Sequence, residues 1–225
     1  MNVGIIIQAR MGSTRLPGKV LKPIAGKALL DHVLSRLSRL TYPVKVIVAT
    51  SENLEDDAIV LHCLNRNITV FRGSETNVLD RYCQCARQNG FENVVRLTAD
   101  NPFTDIEELQ HLIVHHIRQY NDYTHSFDVM PLGVGAEIFS FAALERSARE
   151  GHAQNHYEHV NEYIQENPQL FKIGVLEVPK SKYSPTLRLT IDTEDDYQRV
   201  CAIAEHLSGR WIDTEEIIRL CSPSA

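Results

Sequence analysis

The sequence predicts an α/β protein, with a mostly parallel central sheet and helices on both faces. Three observations predict it. Short apolar runs at residues 3–7, 44–49, 68–71 and 93–97 alternate with segments whose apolar residues recur at helical spacing. The runs read as largely continuous apolar stretches without a strict polar alternation, the pattern of strands covered on both sides. No linker, repeat or low-complexity stretch interrupts the order, so the 225 residues read as one domain.

The elements follow in turn. After the strand at 3–7, Leu29, Leu30, Val33, Leu34, Leu37 and Leu40 mark a helix. A strand at 44–49 leads to Asn53, a candidate cap for a helix through Leu64. A third strand at 68–71 precedes a helix over 77–88 that stops at Gly90, and a fourth at 93–97 precedes a helix over 104–120. Residues 1–120 thus read as βαβαβαβα; residues 121–225 are expected to complete the same domain, with part of them forming a flap or a dimer arm. In that half, strands are expected at 123–127, 134–139, 171–178 and 186–191, and a helix near Phe141. The stretch "GHAQNHYEHVNEYIQENP" reads as one polar helix ended by Pro168. Its mixed face of Tyr157, Val160, Tyr163 and Ile164 suggests a homodimer arm. Thr193 caps a helix through about Leu207, and Asp213 or Thr214 caps a last one.

Composition narrows the function. A formal net charge of −6 gives no global signal for nucleic acid or an anionic membrane surface, so any polyanion site must be local. The N-terminus has no basic and apolar leader, and no segment has the length of a membrane span. The 5 cysteines are scattered without zinc spacing, and a reduced cytoplasmic protein is expected. His152, His156 and His159 share helical spacing but lack a His-Glu-x-x-His pattern, so zinc is disfavoured.

In a parallel sheet, ligands bind beyond the carboxyl ends of the strands. The loop after the first strand, "ARMGSTRLPGK", is not a P-loop. Gly12 stands five residues, not four, before Gly18-Lys19, Pro17 removes an amide, and Val20 replaces the metal-binding hydroxyl. It still gathers Arg10, Arg15 and Lys19 with Ser13, Thr14 and glycine amides, a polyphosphate cradle without a metal ligand; a solvated basic loop has the same composition. The carboxylates must come from elsewhere. Asp100 in "VVRLTAD" and Asp192 in "RLTID" each end an apolar run, and together they make a plausible metal pair, although each alone also suits a turn. In "RGSETNVLDRY", Arg72, Ser74, Asp80 and Arg81 are candidates for base or ribose contacts, or simply a helix N-terminus.

These motifs, with "GKALLDHVLSRL", "VIVATSENLEDDAIV" and "TIDTEDD", closely resemble the cytidylyltransferase family of spore coat polysaccharide protein F, related to the CMP-sialic acid and CMP-Kdo synthetases. The likeness runs over nearly the whole chain. It implies a glycosyltransferase-A-like nucleotidyltransferase fold and an enzyme that uses CTP and a small, acidic sugar. By resemblance, Arg10 and Lys19 bind phosphate, Gln8 and Ala9 lie near the base, and Gly12, Ser13, Thr14, Arg15 and Thr98 belong to the nucleotide site. Asp100 and Asp192 match Mg²⁺ carboxylates, and Arg10, Lys19 and Asp100 are the catalytic candidates. Glu158 and His159 match a Glu-His-Val motif on the sugar side, and Glu137 in "VGAEIFS" falls on a sugar-side glutamate, although Gly135 replaces the acid usual there. Rival readings are a GTP- or UTP-dependent transferase acting on a sugar 1-phosphate, a glycosyltransferase, and a nucleotide-binding module without turnover. "TADNP" has one acid where an Asp-x-Asp metal motif needs two, which counts against the glycosyltransferase.

Overall fold

Ile5, Ile6 and Ile7 have no exposed surface because β1 (Val3–Gln8) runs through the interior of a seven-stranded sheet. The computed structural model describes residues 2–207 and 210–222. β1 pairs in parallel with β4 (Lys45–Ser51) and β6 (Asn93–Thr98), and β5 (Thr69–Gly73) extends the parallel set beyond β4. On the far side of β6 the direction changes. β8 (Glu137–Ser140) is antiparallel to β6, β7 (Tyr123–His125) is antiparallel to β8, and β9 (Ile173–Val175) is parallel to β7. The order is β5-β4-β1-β6-β8-β7-β9, so β7 points the same way as β6. A separate two-stranded hairpin pairs β2 (Pro23–Ile24) with β3 (Lys27–Ala28). Its turn residues Ala25 and Gly26 have φ of 44° and 79°. Two positive values are what a tight hairpin turn demands.

Helices cover both faces, as the doubly buried strands require. One core takes Ile5 and Ile7 with α1 (Leu29–Leu37), α2 (Asp57–Leu64), α4 (Ile106–Gln119), α8 (Glu194–Leu207) and α9 (Thr214–Cys221). The other takes Ile6 with α3 (Val78–Asn89), α5 (Phe141–Glu150) and the segment around Val160 and Ile164. Several ends carry side-chain caps. Asn77 accepts from the Asp80 amide, Asp105 from Glu108, Ser140 from Ala143 and Asp213 from Glu216. No helix among the described residues is long and apolar enough to cross a membrane.

The second half departs from expectation in four places. The expected strand at 134–139 is only Glu137–Ser140, because Gly133 turns at φ 93° and Ser126 bonds back to Ala136. The expected strand at 171–178 shrinks to Ile173–Val175. Residues 186–191 join no sheet; a bridge of Leu132 to Arg188 is their strand-like contact. The polar helix divides into α6 (Gln154–Glu158) and α7 (Glu162–Glu166), since His159 is extended at φ −112°, ψ 108°. The three histidines therefore share no continuous helical face. Val160 and Ile164, part of the face read as a dimer arm, have no exposed surface and fill the chain's own core. In the first half, Asn53 stands at the N-cap of a 3-10 turn, Leu54–Asp56, that precedes α2, and its side chain makes no capping hydrogen bond.

Candidate active site

The loop after β1 is built around Met11. Its carbonyl accepts from the Ser13 amide at 2.8 Å and the Gly18 amide at 2.9 Å, closing residues 11–18 into a compact loop. Gly18 then turns at φ 68°, where a side chain would be strained, and aims the next residue into the sheet's carboxyl edge. That residue is Lys19. The Met11 amide donates to Asp56 Oδ1 at 2.7 Å, and Asp56 Oδ2 accepts from the Ser51 amide at 3.0 Å and from its hydroxyl. Asp56 thus ties the loop to the end of β4. No sequence motif marked it, because "ENLEDD" offers four acids and the pattern alone does not say which turns inward. Burial opposes its ionisation, but the hydrogen bonds from Met11 and Ser51 outweigh it and hold the carboxyl below the ordinary carboxylate range.

Gln8, Ala9, Arg10, Ser13, Thr14, Arg15, Lys19, Thr98, Asp100 and Asp192 line one cleft of about 180 Å³ beyond the ends of β1 and β6. Lys19 is 8% exposed, and its Nζ donates to Asp100 Oδ2 at 2.7 Å, Asp192 Oδ1 at 3.0 Å and the Ile191 carbonyl at 2.7 Å. The ammonium therefore bridges the two carboxylates. Arg15 reaches Asp192 at 3.2 Å, and Arg188 reaches its other oxygen at 2.5 Å. Burial raises Asp192, but Lys19 first, then Arg188 and Arg15, bring it below the usual range. Thr193 caps α8 as its sequence suggests: its hydroxyl accepts from the Asp196 amide, while Asp196 accepts from the amides of Asp192 and Thr193. The Asp192 side chain is thereby left to the cleft. Arg10 is exposed and has no ion pair among the described residues. Gln8 Oε1 is buried without a hydrogen-bond partner, an acceptor that a ligand donor would satisfy.

The other candidates lie outside this lining. Arg72 holds the Ser51 and Asn53 carbonyls and Asp57. Ser74 accepts from Asn77, Asp80 from Gln84, and the buried Arg81 donates to the Ser74 carbonyl. These four shape the β5–α3 loop. Gly12 packs against Glu55, whose Oε1 would lie 2.6 Å from an added Cβ. Glu158 and His159 are exposed around the helix break, apart from the cleft lining. Glu137 is also outside the lining, 1% exposed in an ion pair with Arg96.

Asp56→Ala is expected to cost about 1–3 kcal/mol, because the Met11 and Ser51 donors lose their acceptor. The sign with pH follows from the lowered carboxyl. Its contribution is complete above the unfolded pKa of about 4 and is lost as pH falls through the folded value. Urea unfolding of both proteins at several pH values should show the gap closing in acid; a constant gap would show that Asp56 acts without its charge.

Comparisons place this geometry among known proteins. The chain is 39% identical over 221 residues to the spore coat polysaccharide biosynthesis protein SpsF of Bacillus subtilis, covering 96% of this chain and 92% of that one. It is 37% identical over 105 residues to the 3-deoxy-manno-octulosonate cytidylyltransferase of Geobacter sulfurreducens, covering 47% of this chain and 41% of the relative. A solved cytidylyltransferase structure from Leptospira borgpetersenii superposes with a TM-score of 0.88 at 30% identity, over 98% of this chain and 94% of that one. The fold is that of the nucleotidyltransferases. The family model described as cytidylyltransferase matches residues 4–221, from β1 through α9, and the chain belongs to the cytidylyltransferase family.

Proposed function

We propose that the protein transfers a cytidylyl group from CTP to a hydroxyl of an acidic sugar, as a step in making a surface polysaccharide. The observation that carries this reading is the meeting of Arg10, Arg15 and Lys19 with Asp100 and Asp192 in one cleft of a cytidylyltransferase-family chain. The names of the relatives supply the chemical class: one serves a spore coat polysaccharide, another acts on 3-deoxy-manno-octulosonate.

In the reaction the sugar oxygen attacks the α-phosphorus, the bond to the bridging oxygen of the β-phosphate breaks, and pyrophosphate leaves. No side chain need become covalently bound; the protein supplies position and charge. Arg10, with no carboxylate partner among the described residues, is available to the phosphates. Gln8 Oε1 is a buried acceptor without a partner, and the exocyclic amine of cytosine is a donor of the kind it lacks. Asp100 and Asp192 would hold Mg²⁺. Their hard carboxylate oxygens fit it, and the Lys19 ammonium between them supports the place as one for a cation. Bound there, Mg²⁺ would offset negative charge on the phosphates. With the carboxylates on a metal, the Lys19 ammonium, which lines the same cleft, would be free to meet phosphate charge.

Pyrophosphate release tests the reading. CTP, UTP, GTP and ATP are offered in turn with 3-deoxy-manno-octulosonate, a sialic acid and hexose 1-phosphates, with and without Mg²⁺. Turnover is expected with CTP and an acidic sugar. Activity confined to GTP or UTP with a sugar 1-phosphate would reject cytidylyl transfer.

A further inference from the structure

A second cavity of about 180 Å³ shares no lining residue with the cleft. Its charged lining is entirely cationic: Lys27, Arg36, Arg39 and Arg210, with no carboxylate. Arg210 pairs with Glu216. The other three have no carboxylate partner among the described residues, although Arg36 is only 7% exposed. Its guanidinium donates instead to carbonyl oxygens, from Nε to Thr104 at 2.7 Å and from Nη1 and Nη2 to Ile212 at 3.3 Å. The acids nearest it are engaged elsewhere. Asp105 is held by Thr214, Lys182 and the Glu108 amide, and Asp213 by the Glu216 amide. Burial brings Arg36 down to about 10, against the raising pull of Asp105 and Asp213.

A buried cation without a counter-ion is unfavourable, and a fold that only needed to bridge two carbonyls would not gather two more cations beside it. Arg36 and Arg39 both place their guanidinium carbon 4.1 Å from the centre of the Trp211 ring. The rest of the lining is largely apolar, including Ile24, Phe103, Val200 and Leu207. We propose that this cavity binds a small organic anion. Its phosphate or carboxylate head meets Lys27 together with Arg36 and Arg39, both of which Trp211 holds in place, and its apolar body lies on Phe103 and the aliphatic lining. Phe103 follows Asp100 by three residues, and α8 begins directly after Thr193, so an occupant packs against both segments that carry the cleft's carboxylates.

Trp211 is the sole tryptophan of the chain and lines this cavity, so its fluorescence reports on an occupant there. The full chain is titrated at constant ionic strength with phenyl phosphate, benzoate and inorganic phosphate. A saturable change is expected with at least one organic anion, about tenfold tighter than with inorganic phosphate. Whichever organic anion binds tighter identifies the head group. The double variant Lys27→Glu, Arg39→Glu alters two exposed side chains, so its urea midpoint should hold while the binding midpoint weakens about tenfold or more. Two results would overturn the proposal: no saturable change with either organic anion up to about 10 mM, or binding indifferent to charge reversal at Lys27 and Arg39.

Discussion

Lys19→Ala is expected to lower CTP turnover by about 10²-fold or more, the loss typical of one oriented charge donor. The same substitution should shift the Mg²⁺ dependence the other way. Lys19 now stands 2.7 Å from Asp100 and 3.0 Å from Asp192, so the ammonium and a metal compete for the same oxygens. Without it, Asp192 keeps Arg15 and Arg188, but Asp100 loses its cation, and the pair is left more negative. Half-maximal Mg²⁺ should therefore fall while kcat falls. Lys19→Arg should not restore the rate, because a forked guanidinium cannot replace a compact ammonium bonded to three oxygens in a nearly closed position. Steady-state rates across a Mg²⁺ series check both halves. Near-normal turnover in Lys19→Ala would sink the catalytic assignment, and an unchanged Mg²⁺ midpoint would sink the competition.

The cleft was legible in the sequence to the extent that strand ends are legible. Arg10 and Asp100 stand just past apolar runs, Lys19 closes the loop that Arg10 opens, and a parallel sheet gathers such ends at one edge. Asp192 reaches the same cleft for a different reason. Residues 186–191 form no sheet strand, yet the Ile191 amide bonds to the Asp100 carbonyl and brings the two acids together. Asp56 and Arg188 escaped notice because their roles depend on tertiary contacts: one on the Met11 amide, the other on a carboxylate one helical turn away in a segment that is not a helix.

The irregular half was harder to read for a related reason. Short edge strands such as β7 and β9 contain three residues each, too few for a period to appear. The polar helix looked continuous because its spacing holds through residue 159, but nothing in that spacing reports that His159 leaves helical geometry. The candidates in residues 72–81 illustrate the converse. Their residue types suit ligand binding, yet Arg72 is held by the Ser51 and Asn53 carbonyls and Asp57, Ser74 by Asn77 and Asp80 by Gln84, while Arg81 spends one nitrogen on the Ser74 carbonyl and keeps Nε and Nη2 buried without a partner.

Glu137 offers the sharpest test of residue type against environment. By resemblance it faces a sugar; in the fold its Oε1 accepts from Arg96 Nη1 at 2.5 Å and its Oε2 from the Tyr123 hydroxyl at 2.7 Å. The register sets Arg96 opposite Glu137, and Glu137 opposite His125, on one face of the sheet. Burial alone would lower Arg96, but Glu137 outweighs it and pushes the guanidinium further up; burial, then Glu137, also pushes up the Tyr123 phenol. Glu137→Ala leaves Arg96 a cation in a largely closed site and the Tyr123 hydroxyl without its acceptor. Removing one partner of a buried pair costs about 3–5 kcal/mol, which for a chain of this length lowers Tm by roughly 6–20 °C. Glu137→Gln, which keeps an acceptor oxygen but not the charge, should fall between. A double variant with Arg96→Met should recover part of the loss, because the unpaired charge is gone. Urea and thermal unfolding read all three. If Glu137→Ala unfolds like the unsubstituted protein and instead raises the KM for the sugar, Glu137 is a substrate contact after all, and its ion pair with Arg96 contributes little to the fold.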